Sequence, residues 1–236
     1  MISIVIPAYN EENLVTRCLD SLVKQQTNQE FEIIFVDNNS TDNTKMLAEA
    51  YKENLNLYIF TEKTKGRGAA RKLGFRKATG KIILSTDADT TVPTNWIEQH
   101  TQPFRAKEIV AVTGTCTITD CSTITNFIFN HFYQLSTELC YRLIEGHWCL
   151  IGPNFAIRKE IYDATSGFDA SLNCREDADL SAKIALLGEI KRIKLSVNFS
   201  GRRYKKGLLL GIIPYVINRV KEIFIGRQNI LLKDIR

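Results

Sequence analysis

The chain has 236 residues, 44% of them hydrophobic and 24% charged, and a formal net charge of +5. This size and composition indicate an ordinary globular core in one large domain, or in a domain with a tail. No stretch of 18 uninterrupted apolar residues exists, which argues against a membrane-spanning helix. The segment from Met1 to Pro7 lacks a basic stretch followed by a long apolar one, so we expect no signal peptide and a cytosolic location.

The positive charge is concentrated near the end of the sequence. Residues 200–236 contain nine Lys or Arg and two Asp or Glu, a net charge of +7, whereas the rest of the chain has a net charge of −2. No recognised reader motif accompanies these basic residues, so we expect no nucleic-acid partner.

The six cysteines show no metal-binding or redox pattern. None forms a Cys-x-x-Cys pair, and no Cys/His cluster has zinc spacing. We therefore interpret them as reduced and mostly buried thiols, and a Cys116–Cys121 bridge has no support in a cytosolic protein.

Up to about residue 90, predicted strands alternate with predicted helices. Strands are predicted over residues 3–7, 31–36, 55–60 and 82–86. Helices are predicted from residue 10 or 11, from residue 41 or 42, and over residues 69–77. This alternation is typical of a parallel α/β sheet, in which the turns after the strands share one edge.

Beyond residue 90 the alternation loosens. We predict a short helix over 93–104, strands over 109–118, 155–158 and 190–199, and a helix over 179–187. Residues 127–144 carry an apolar helical pattern with an aromatic stripe. Such a stripe belongs more often to a core, or to a cover over a groove, than to a cofactor site. The loop that follows contains His147 and Trp148, which are candidates for substrate contact.

Two carboxylates, Asp87 and Asp89, directly follow the strand predicted over 82–86. Ligands of open parallel sheets lie beyond the carboxyl ends of the strands, and two acids there can hold a hard divalent cation that offsets phosphate charge. A second Asp-Ala-Asp triplet begins at Asp177, but it opens a helix, where residues two apart do not share a face. The pair after the strand is therefore the better metal candidate. For Glu176 and Asp177, the pattern leaves a helix-capping role open beside a functional one.

The basic loop at residues 63–68 matches neither the G-x-x-x-x-G-K-[ST] phosphate loop nor a full G-x-G-x-x-G after the first strand. This argues against a mononucleotide ATPase and against a dinucleotide dehydrogenase. Lys65, Arg67 and Arg71 can still meet a diphosphate near a helix N-terminus. A solvated basic turn remains the alternative for Lys65 and Arg67.

Several short segments together carry a family resemblance. They are Ile6-Pro-Ala-Tyr-Asn-Glu-Glu12, Val36-Asp-Asn-Asn-Ser-Thr-Asp-Asn-Thr44, residues 66–74, Asp87-Ala-Asp89, Gly152-Pro-Asn-Phe-Ala-Ile-Arg158, Gly167-Phe-Asp169 and Glu176-Asp177. In this order and spacing, the chain resembles family 2 glycosyltransferases over roughly residues 1–200. The resemblance implies the GT-A fold, a Rossmann-like α/β architecture with a mixed, mostly parallel central sheet and helices on both faces. We expect a nucleotide-binding half up to about residue 90, an acceptor half over 91–200, and an amphipathic helical tail over 201–236.

The resemblance also implies roles for individual residues. The donor nucleotide would be bound by Pro7, Ala8, Tyr9, Glu11, Asp37, Gly68, Arg71, Asp87 and Ala88. Among them, Asp37 would accept hydrogen bonds from the base, usually uracil. Asp87 and Asp89 would contact ribose and the metal, Mg²⁺ or Mn²⁺, with Asp89 as the direct ligand. Asp177 would be the general base, with Glu176 beside it.

One departure from the family pattern concerns the metal or diphosphate site. Many relatives carry a late histidine there, but this chain has Ser200-Gly-Arg-Arg-Tyr204 after its last strand. Arg202 or Arg203 would then bind the diphosphate directly as a fixed cation. His147, Trp148 and Asn154 are the other expected contacts to acceptor or diphosphate. A Gln-x-x-Arg-Trp element of processive synthases is absent, which favours transfer of a single sugar.

The predicted function is a metal-dependent, inverting transfer of one sugar from a nucleotide-diphosphate sugar, such as a UDP-sugar. The acceptor would be a hydroxyl of a glycan or lipid-linked precursor of the cell envelope. A nucleotidyltransferase is one alternative, but it would need a Gly-rich basic loop after the first strand, and residues 7–12 offer none. A non-catalytic sugar-nucleotide-binding protein is the other, and the presence of Asp89 and Asp177 argues against it.

The tail over 201–236 is predicted to dock on an anionic membrane surface. Its apolar run from Leu208 to Ile217 is too short to span a bilayer, and Pro214 would kink a helix there. Apolar residues with basic flanks suit a helix lying in the membrane interface. The location would then be peripheral, on the inner face of the cell membrane. A helix packed on the protein's own core, or in the seam of a homodimer, is the alternative.

Overall fold

The computed structural model describes residues 1–172, 175–213 and 217. Within them, the strands form one eight-stranded sheet with the order β3-β2-β1-β4-β7-β6-β8-β5. The strands are β1 (Ile2–Ala8), β2 (Phe31–Asp37), β3 (Leu57–Thr61), β4 (Ile82–Ser85), β5 (Thr90–Thr91), β6 (Ile109–Thr117), β7 (Phe155–Arg158) and β8 (Glu189–Phe199). The helices are α1 (Val15–Val23), α2 (Thr44–Glu49), α3 (Arg67–Lys77), α4 (Trp96–Thr101), α5 (Thr123–Ile128), α6 (Gln134–Glu145), α7 (Lys159–Ala164) and α8 (Glu176–Ile184).

The sheet is mixed and mostly parallel. The pairings β1–β2, β1–β4, β2–β3 and β6–β8 are parallel, and β4–β7, β6–β7 and β5–β8 are antiparallel. In register, Ala8 at the end of β1 lies beside Asp37 at the end of β2. The carboxyl ends of β1, β2 and β4 therefore share one edge, and the polar turns that follow them meet there.

Helices cover both faces of the sheet because side chains alternate along each buried strand. In β1, Ile2, Ile4 and Ile6 belong to one core cluster, which also contains buried residues of α1, α2 and α4. Val5 points to the other face and packs in a second cluster with residues of α3, α7 and α8. Both faces exclude water at the centre of the sheet, which explains why β1, β2 and β4 are nearly continuous apolar runs.

The first helix begins later than predicted. A helix from Asn10 or Glu11 is wrong, because α1 starts at Val15. Asn10 has a left-handed φ of 51°, and its side-chain oxygen accepts a hydrogen bond from the backbone N–H of Thr41. The N–H of Glu11 donates to the Thr44 hydroxyl. Residues 10–14 therefore form a turn held by the loop after β2, which keeps Glu11 at the sheet edge.

The long apolar helix predicted over 127–144 is present and extends further. Helix α5, a π-helical turn (Phe129–Tyr133) and α6 run without a break over residues 123–145, which we call the cover helix. Ser122 caps its start by accepting a hydrogen bond from the N–H of Thr125. Helix α7 and the two-residue strand β5 were not predicted, because segments this short carry too few residues for a period to be read.

The described part of the tail returns to the domain. A 3₁₀ turn (Arg202–Tyr204) is followed by helical residues 208–213. Tyr204 packs with Ile118 and with Phe129 of the cover helix. Pro214 and residues 218–236 lie outside the described residues, and with them most of the predicted tail. In the described part of the chain, no helix combines the length and the apolar character needed to cross a membrane.

Candidate functional site

A cavity of about 410 Å³ lies at the sheet edge where β1 and β4 end, under the cover helix. Of the predicted site residues it is lined by Pro7, Ala8, Tyr9, Glu11, Arg71, Asp87, Ala88, Asp89, Glu176, Asp177, Arg202 and Arg203. These residues come from the turn after β1, the start of α3, the β4–β5 connection, the start of α8 and the 3₁₀ turn at 202–204. The fold therefore brings together side chains from nearly the whole described length of the chain.

Arg71 joins the two acidic parts of the cavity. Its Nη2 donates to Asp87 Oδ1 at 2.5 Å, and its Nη1 donates to Glu176 Oε1. The Arg71 side chain is only 2% exposed. Burial lowers the pKa of Arg71, but the charges of Asp87 and Glu176 outweigh that effect and raise it overall. The guanidinium therefore stays charged and fixes the start of α8 against the acid after β4.

Gly152 is needed beside Arg71. A Cβ atom at this position would lie 2.7 Å from Arg71 Nη2, so a larger residue would displace the guanidinium. The N–H of Gly152 also donates to Asp177 Oδ2 at 3.1 Å. The absence of a side chain at residue 152 therefore lets its backbone lie against Arg71 and donate a hydrogen bond that orients Asp177.

Asp177 stands in the first turn of α8 with its carboxylate in the cavity. One oxygen accepts from the N–H of Gly152, and the other accepts from the N–H of Ala178 at 2.9 Å. Both oxygens retain further lone pairs, so the carboxylate can accept a proton or a substrate hydrogen bond. Neighbouring Glu176 is buried, and burial raises its pKa against the opposing charge of Arg71.

The second triplet behaves as its helical position predicts. Asp179 does not line the cavity and instead pairs with Lys183 at 2.7 Å, one turn along α8. Asp177 and Asp179 therefore face different surroundings.

Arg202 reaches back to the start of the chain. It donates to both carboxylate oxygens of Glu11, at 2.8 and 2.5 Å, and to Asp89 Oδ2 at 2.8 Å. Burial lowers the pKa of Arg202, but hydrogen bonding to Glu11 and the charges of both acids raise it overall. A permanent cation is thus placed at the acid expected to bind metal.

Asp89 lies near two other acids, Asp87 and Glu11, and forms an ion pair with Arg202. Burial, followed by the charges of Asp87 and Glu11, raises the pKa of Asp89 to about 6, against the opposing effect of Arg202. A divalent cation would relieve this repulsion, and carboxylate oxygens are the donors that Mg²⁺ and Mn²⁺ prefer. Among the described residues, no three His, Cys, Asp or Glu side chains form a metal cluster. A cation held by one or two carboxylates together with substrate phosphates would not need such a cluster.

One lining residue that we did not predict is Asn38, whereas the predicted Asp37 does not line the cavity. Asn38 lines the cavity, and its side chain holds the loop before α3: it donates to the carbonyls of Glu62 and Thr64 and accepts from the N–H of Gly66. Neighbouring Asp37 is buried beside it and accepts from the N–H of Ser40 at 3.3 Å. The position of Asn38 directly after β2 was the signal available in the sequence.

Lys65 lies near the turn after β1. Its ammonium is 4.9 Å from the centre of the Tyr9 ring, and both residues line the cavity. Gly68 does not line it. A Cβ atom there would lie 2.5 Å from the carbonyl oxygens of Asp169 and Leu172, so Gly68 permits close packing of α3 against this loop.

Asn154 is away from the cavity, so the expected contact to acceptor or diphosphate does not match its position. It is fully buried. Its Oδ1 accepts from Trp96 Nε1 and pairs with His100 Nε2, both at 2.8 Å, and its Nδ2 donates to the carbonyls of Thr115 and Leu195. All its polar atoms are engaged in joining α4 to the β6–β8 pair, which is a structural role.

His147 and Trp148 also lie outside the cavity lining. His147 Nδ1 is 3.0 Å from the carbonyl oxygen of Trp148. The Trp148 ring packs between the guanidinium groups of Arg142 and Arg192, 5.8 and 5.6 Å from its centre. The residues of this region that do face the cavity are Cys149 to Pro153.

The cover helix provides the largest group of lining residues that sequence reasoning missed. Its cavity side carries Phe129, Tyr133, Gln134, Thr137, Glu138 and Tyr141. The spacing of four residues between 129, 133, 137 and 141 is a helical face and was readable in the sequence. Of the aromatic and apolar stripe read in the sequence, Phe129 lines the cavity, whereas Phe127, Phe132, Leu135, Leu139 and Leu143 are exposed and do not.

Comparison with known proteins agrees with this architecture. The family model described as glycosyl transferase family 2 matches residues 3–165. A poly(ribitol-phosphate) beta-glucosyltransferase of Bacillus spizizenii is 42% identical over 92 residues, which cover 37% of this chain and 14% of the relative. Glycosyltransferase GlyG of Streptococcus pneumoniae is 32% identical over 180 residues, covering 69% of this chain and 58% of the relative. An undecaprenyl-phosphate 4-deoxy-4-formamido-L-arabinose transferase of Proteus mirabilis is 38% identical over 97 residues, covering 39% and 30%.

Solved structures with lower identity share the fold. TarS (residues 1–349) of Staphylococcus aureus in complex with UDP-GlcNAc matches with a TM-score of 0.68 at 22% identity, over 84% of this chain and 58% of that one. Mannosyltransferase PcManGT of Pyrobaculum calidifontis, in complex with GDP-Man and Mn²⁺, matches with a TM-score of 0.68 at 21% identity, over 92% and 64%. The predicted GT-A fold is thereby confirmed.

The described relatives are longer proteins, since the chain spans between 14% and 58% of their lengths. The family model, in contrast, extends from β1 to the last residues of the β7–α7 region. It takes in the turn after β1, the acids after β4 and the Gly152 segment, which form three sides of the cavity. On this match, the chain belongs to glycosyl transferase family 2.

Proposed function

We propose that the protein is a glycosyltransferase that moves one sugar from a nucleotide-diphosphate sugar to an acceptor hydroxyl. The observation that supports this most directly is the position of Arg71, which ties Asp87 to Glu176, the neighbour of Asp177, within one cavity. One guanidinium thus binds the acid proposed for the donor, Asp87, and the residue next to the acid proposed for the acceptor, Asp177. Separate sites for two unrelated ligands would not need this link.

In this proposal the donor nucleotide lies along the turn after β1 and the acids after β4. Pro7, Ala8, Tyr9 and Glu11 would line the nucleoside, with Asp87 and Ala88 beside the ribose. Asp37, next to Ala8 in register and next to Asn38 in sequence, would accept the imide hydrogen of a uracil base. Gly68 would act indirectly, by letting the start of α3 approach its neighbouring loop.

The acid–base step is assigned to Asp177. An acceptor hydroxyl attacks the anomeric carbon more readily when its proton is removed, and a positioned carboxylate can take that proton. The N–H groups of Gly152 and Ala178 hold the Asp177 carboxylate in place without neutralising it. One base and no protein nucleophile imply a single displacement, which inverts the anomeric configuration.

The departing nucleoside diphosphate gains negative charge. Asp89, with Asp87, would hold Mg²⁺ or Mn²⁺, which offsets that charge when it is bound. Arg202 and Arg203 would supply fixed cations on the same side of the cavity. Arg202 therefore has to divide its hydrogen bonds between Glu11, Asp89 and the incoming phosphates.

For the acceptor, we propose a glycan or lipid-linked precursor of the cell envelope. Two relatives carry poly(ribitol-phosphate) or undecaprenyl-phosphate in their names, and both are anionic, envelope-type molecules. The basic tail over 201–236 would keep the protein peripheral, at the inner face of the cell membrane. Formation of a homodimer is not required by any part of this scheme.

The test is a screen of nucleotide sugars with the full chain. We expect one UDP- or GDP-sugar to raise the melting temperature in the presence of Mn²⁺, because a ligand of the folded state stabilises it by mass action. With an acceptor extract, the same donor should then release nucleoside diphosphate, and Asp177→Asn should suppress the release. Stabilisation by a donor without any release, across all acceptor fractions, would favour a binding protein over a transferase.

A further inference from the structure

The outer face of the cover helix is apolar and uncovered among the described residues. Large hydrophobic side chains recur along it at helical spacing, and they are exposed: Ile124, Phe127, Phe132, Leu135, Leu139 and Leu143. Leu143 and Ile124 are 83% and 72% exposed. Single exposed apolar residues are ordinary on protein surfaces, but a row that runs along a whole helix is typical of an interaction site.

The inner side of the cover helix lines the cavity, and its outer side is exposed. Phe129, Tyr133 and Tyr141 turn inward and line the cavity, whereas the outer row takes no part in the core that the described residues form. A helix of a globular protein normally turns its apolar side inward and its polar side to water. The cover helix is apolar on its outer side as well, so the outer row requires a partner.

The described end of the tail repeats the same pattern. Leu208 and Ile212 pack on the small core formed by Ile118, Phe129 and Tyr204, which attaches these residues to the cover helix. Leu209, Leu210 and Ile213 are exposed. Directly before them, Lys205 and Lys206 are exposed as well. Two helical segments that share one core therefore both carry exposed apolar side chains, and two exposed lysines precede the second segment.

We propose that the outer face of the cover helix, together with residues 205–213, docks on an anionic lipid surface. Apolar side chains enter the interface between head groups and acyl chains, and lysines beside them meet anionic head groups. Residues 201–236 carry a net charge of +7, which complements such a surface. A second copy of the chain at this face would bring two such segments together, and their repulsion argues against a dimer.

This inference rests on the proposed function and extends it to the acceptor. The cover helix separates the lipid-facing row from the cavity by its own thickness, about 10 Å. An acceptor anchored in the membrane can then place its polar head group at the edge of the helix, within reach of Asp177. The acceptor class that fits is a lipid-linked phosphate or glycan, rather than a free soluble sugar.

The experiment is co-sedimentation of the full chain with vesicles of phosphatidylcholine alone or with about 30% phosphatidylglycerol. The test variant carries Phe132→Ser, Leu139→Ser and Leu143→Ser, which are exposed positions on the outer row. The matched control carries Leu186→Ser and Leu187→Ser, exposed leucines just beyond the end of α8. We expect the parent and the control to bind anionic vesicles, and the test variant to lose at least about tenfold in partitioning, since each buried CH₂ group contributes about 0.8 kcal/mol.

Two further measurements make the result specific. The donor-induced melting shift should be equal in all three proteins, because none of the changed residues lines the cavity. Light scattering should show the same mass for parent and test variant. If no nucleotide sugar shifts the melting temperature of the parent, the proposed function is overturned, whereas the vesicle-binding result is unaffected.

Two outcomes would overturn the docking proposal: absence of parent binding to anionic vesicles, and equal binding by the parent and the test variant. If binding is equal and the test variant also has a lower mass than the parent, the occupant of this face is a second copy of the chain. A large drop in the melting temperature of the test variant without vesicle binding by the parent would instead identify the remaining tail of the same chain.

Discussion

Arg202 holds Glu11 with two hydrogen bonds, although 191 residues separate them in the chain. The same guanidinium reaches Asp89 at 2.8 Å. The 3₁₀ turn at residues 202–204 is therefore tied to the turn after the first strand, and both turns line the cavity. Any change in what Asp89 binds must alter this contact.

We expect Arg202→Ala to weaken binding of nucleoside diphosphates by about tenfold, equivalent to about 1.4 kcal/mol. It removes a cation from the place proposed for the phosphates. Isothermal titration with UDP and GDP, at several Mn²⁺ concentrations, measures the effect. Lys205→Ala removes an equal charge from an exposed position nearby and should leave the affinity unchanged. If both variants lose the same affinity for nucleoside diphosphates, Arg202 contributes only through its positive charge and not through its position.

Asp89→Ala should remove the Mn²⁺ dependence of nucleotide binding and abolish transfer. The acid's oxygen is the proposed metal ligand, and its loss leaves the diphosphate charge without that offset. Titrations with and without Mn²⁺ check the first effect, and a donor-release assay checks the second. Asp163→Ala, an exposed acid on α7, is the control. Metal-dependent turnover near the parent rate in Asp89→Ala would contradict the assignment.

Asp177→Asn should lower kcat by at least about a hundredfold, the lower scale for loss of a general base. The amide keeps the shape of the side chain but cannot take up a proton. Donor affinity should barely change. Asp179→Asn, two residues further along α8 and paired with Lys183 outside the cavity, should retain near-parent kcat. A collapse of affinity with turnover preserved at saturation would make Asp177 a binding residue.

Arg71→Met should destabilise the protein by about 3–5 kcal/mol, because it leaves the buried Glu176 without its partner. Glu176→Gln added to it removes the stranded charge and should recover part of the loss. Urea unfolding of both single variants and the double variant gives the coupling between the two residues. Strictly additive losses would show that Arg71 contributes through packing rather than through the ion pair.

Stability should fall in mildly acid solution because of His100. Burial lowers the pKa of His100 to about 4, and its Nδ1 has no hydrogen-bond partner in the described structure. In the unfolded chain, His100 is protonated below its ordinary pKa of about 6.5. In the folded chain it is protonated only below about pH 4, so the unfolded state binds more protons between these two values. The free energy of unfolding is therefore lost as the pH falls through this range, by at most about 1.4 kcal/mol per pH unit for one proton.

Melting curves between pH 7.5 and pH 4.5 measure this slope. His100→Gln should be less stable at pH 7.5 and should lose less stability on acidification than the parent does. His131→Gln, at an exposed position of the cover helix, should show the parent slope. If all three proteins have the same slope, carboxylates rather than His100 govern the acid response.

The sequence-based account was wrong or incomplete where contacts between distant segments override local pattern. The helix after β1 starts late because Thr41 and Thr44 bind the turn at residues 10–11. Asn154 sits in a motif next to cavity residues, yet its side chain points into the core, where Trp96 and His100 satisfy it. Neither partner is near in sequence, so no periodicity could have shown these contacts.

The sequence by itself determined the succession of strands and helices and the placing of polar residues at the strand ends. These features depend on the period of apolar residues and on turn chemistry, which act within a few residues. Only the tertiary structure decided which charges meet: Arg71 with Glu176, 105 residues on, and Arg202 with Glu11. It also decided that the cover helix turns its more polar face to the cavity and its apolar row outward. The partners of a charge or of a helix face depend on the path of the whole chain, because side chains from distant segments meet only after the sheet has formed.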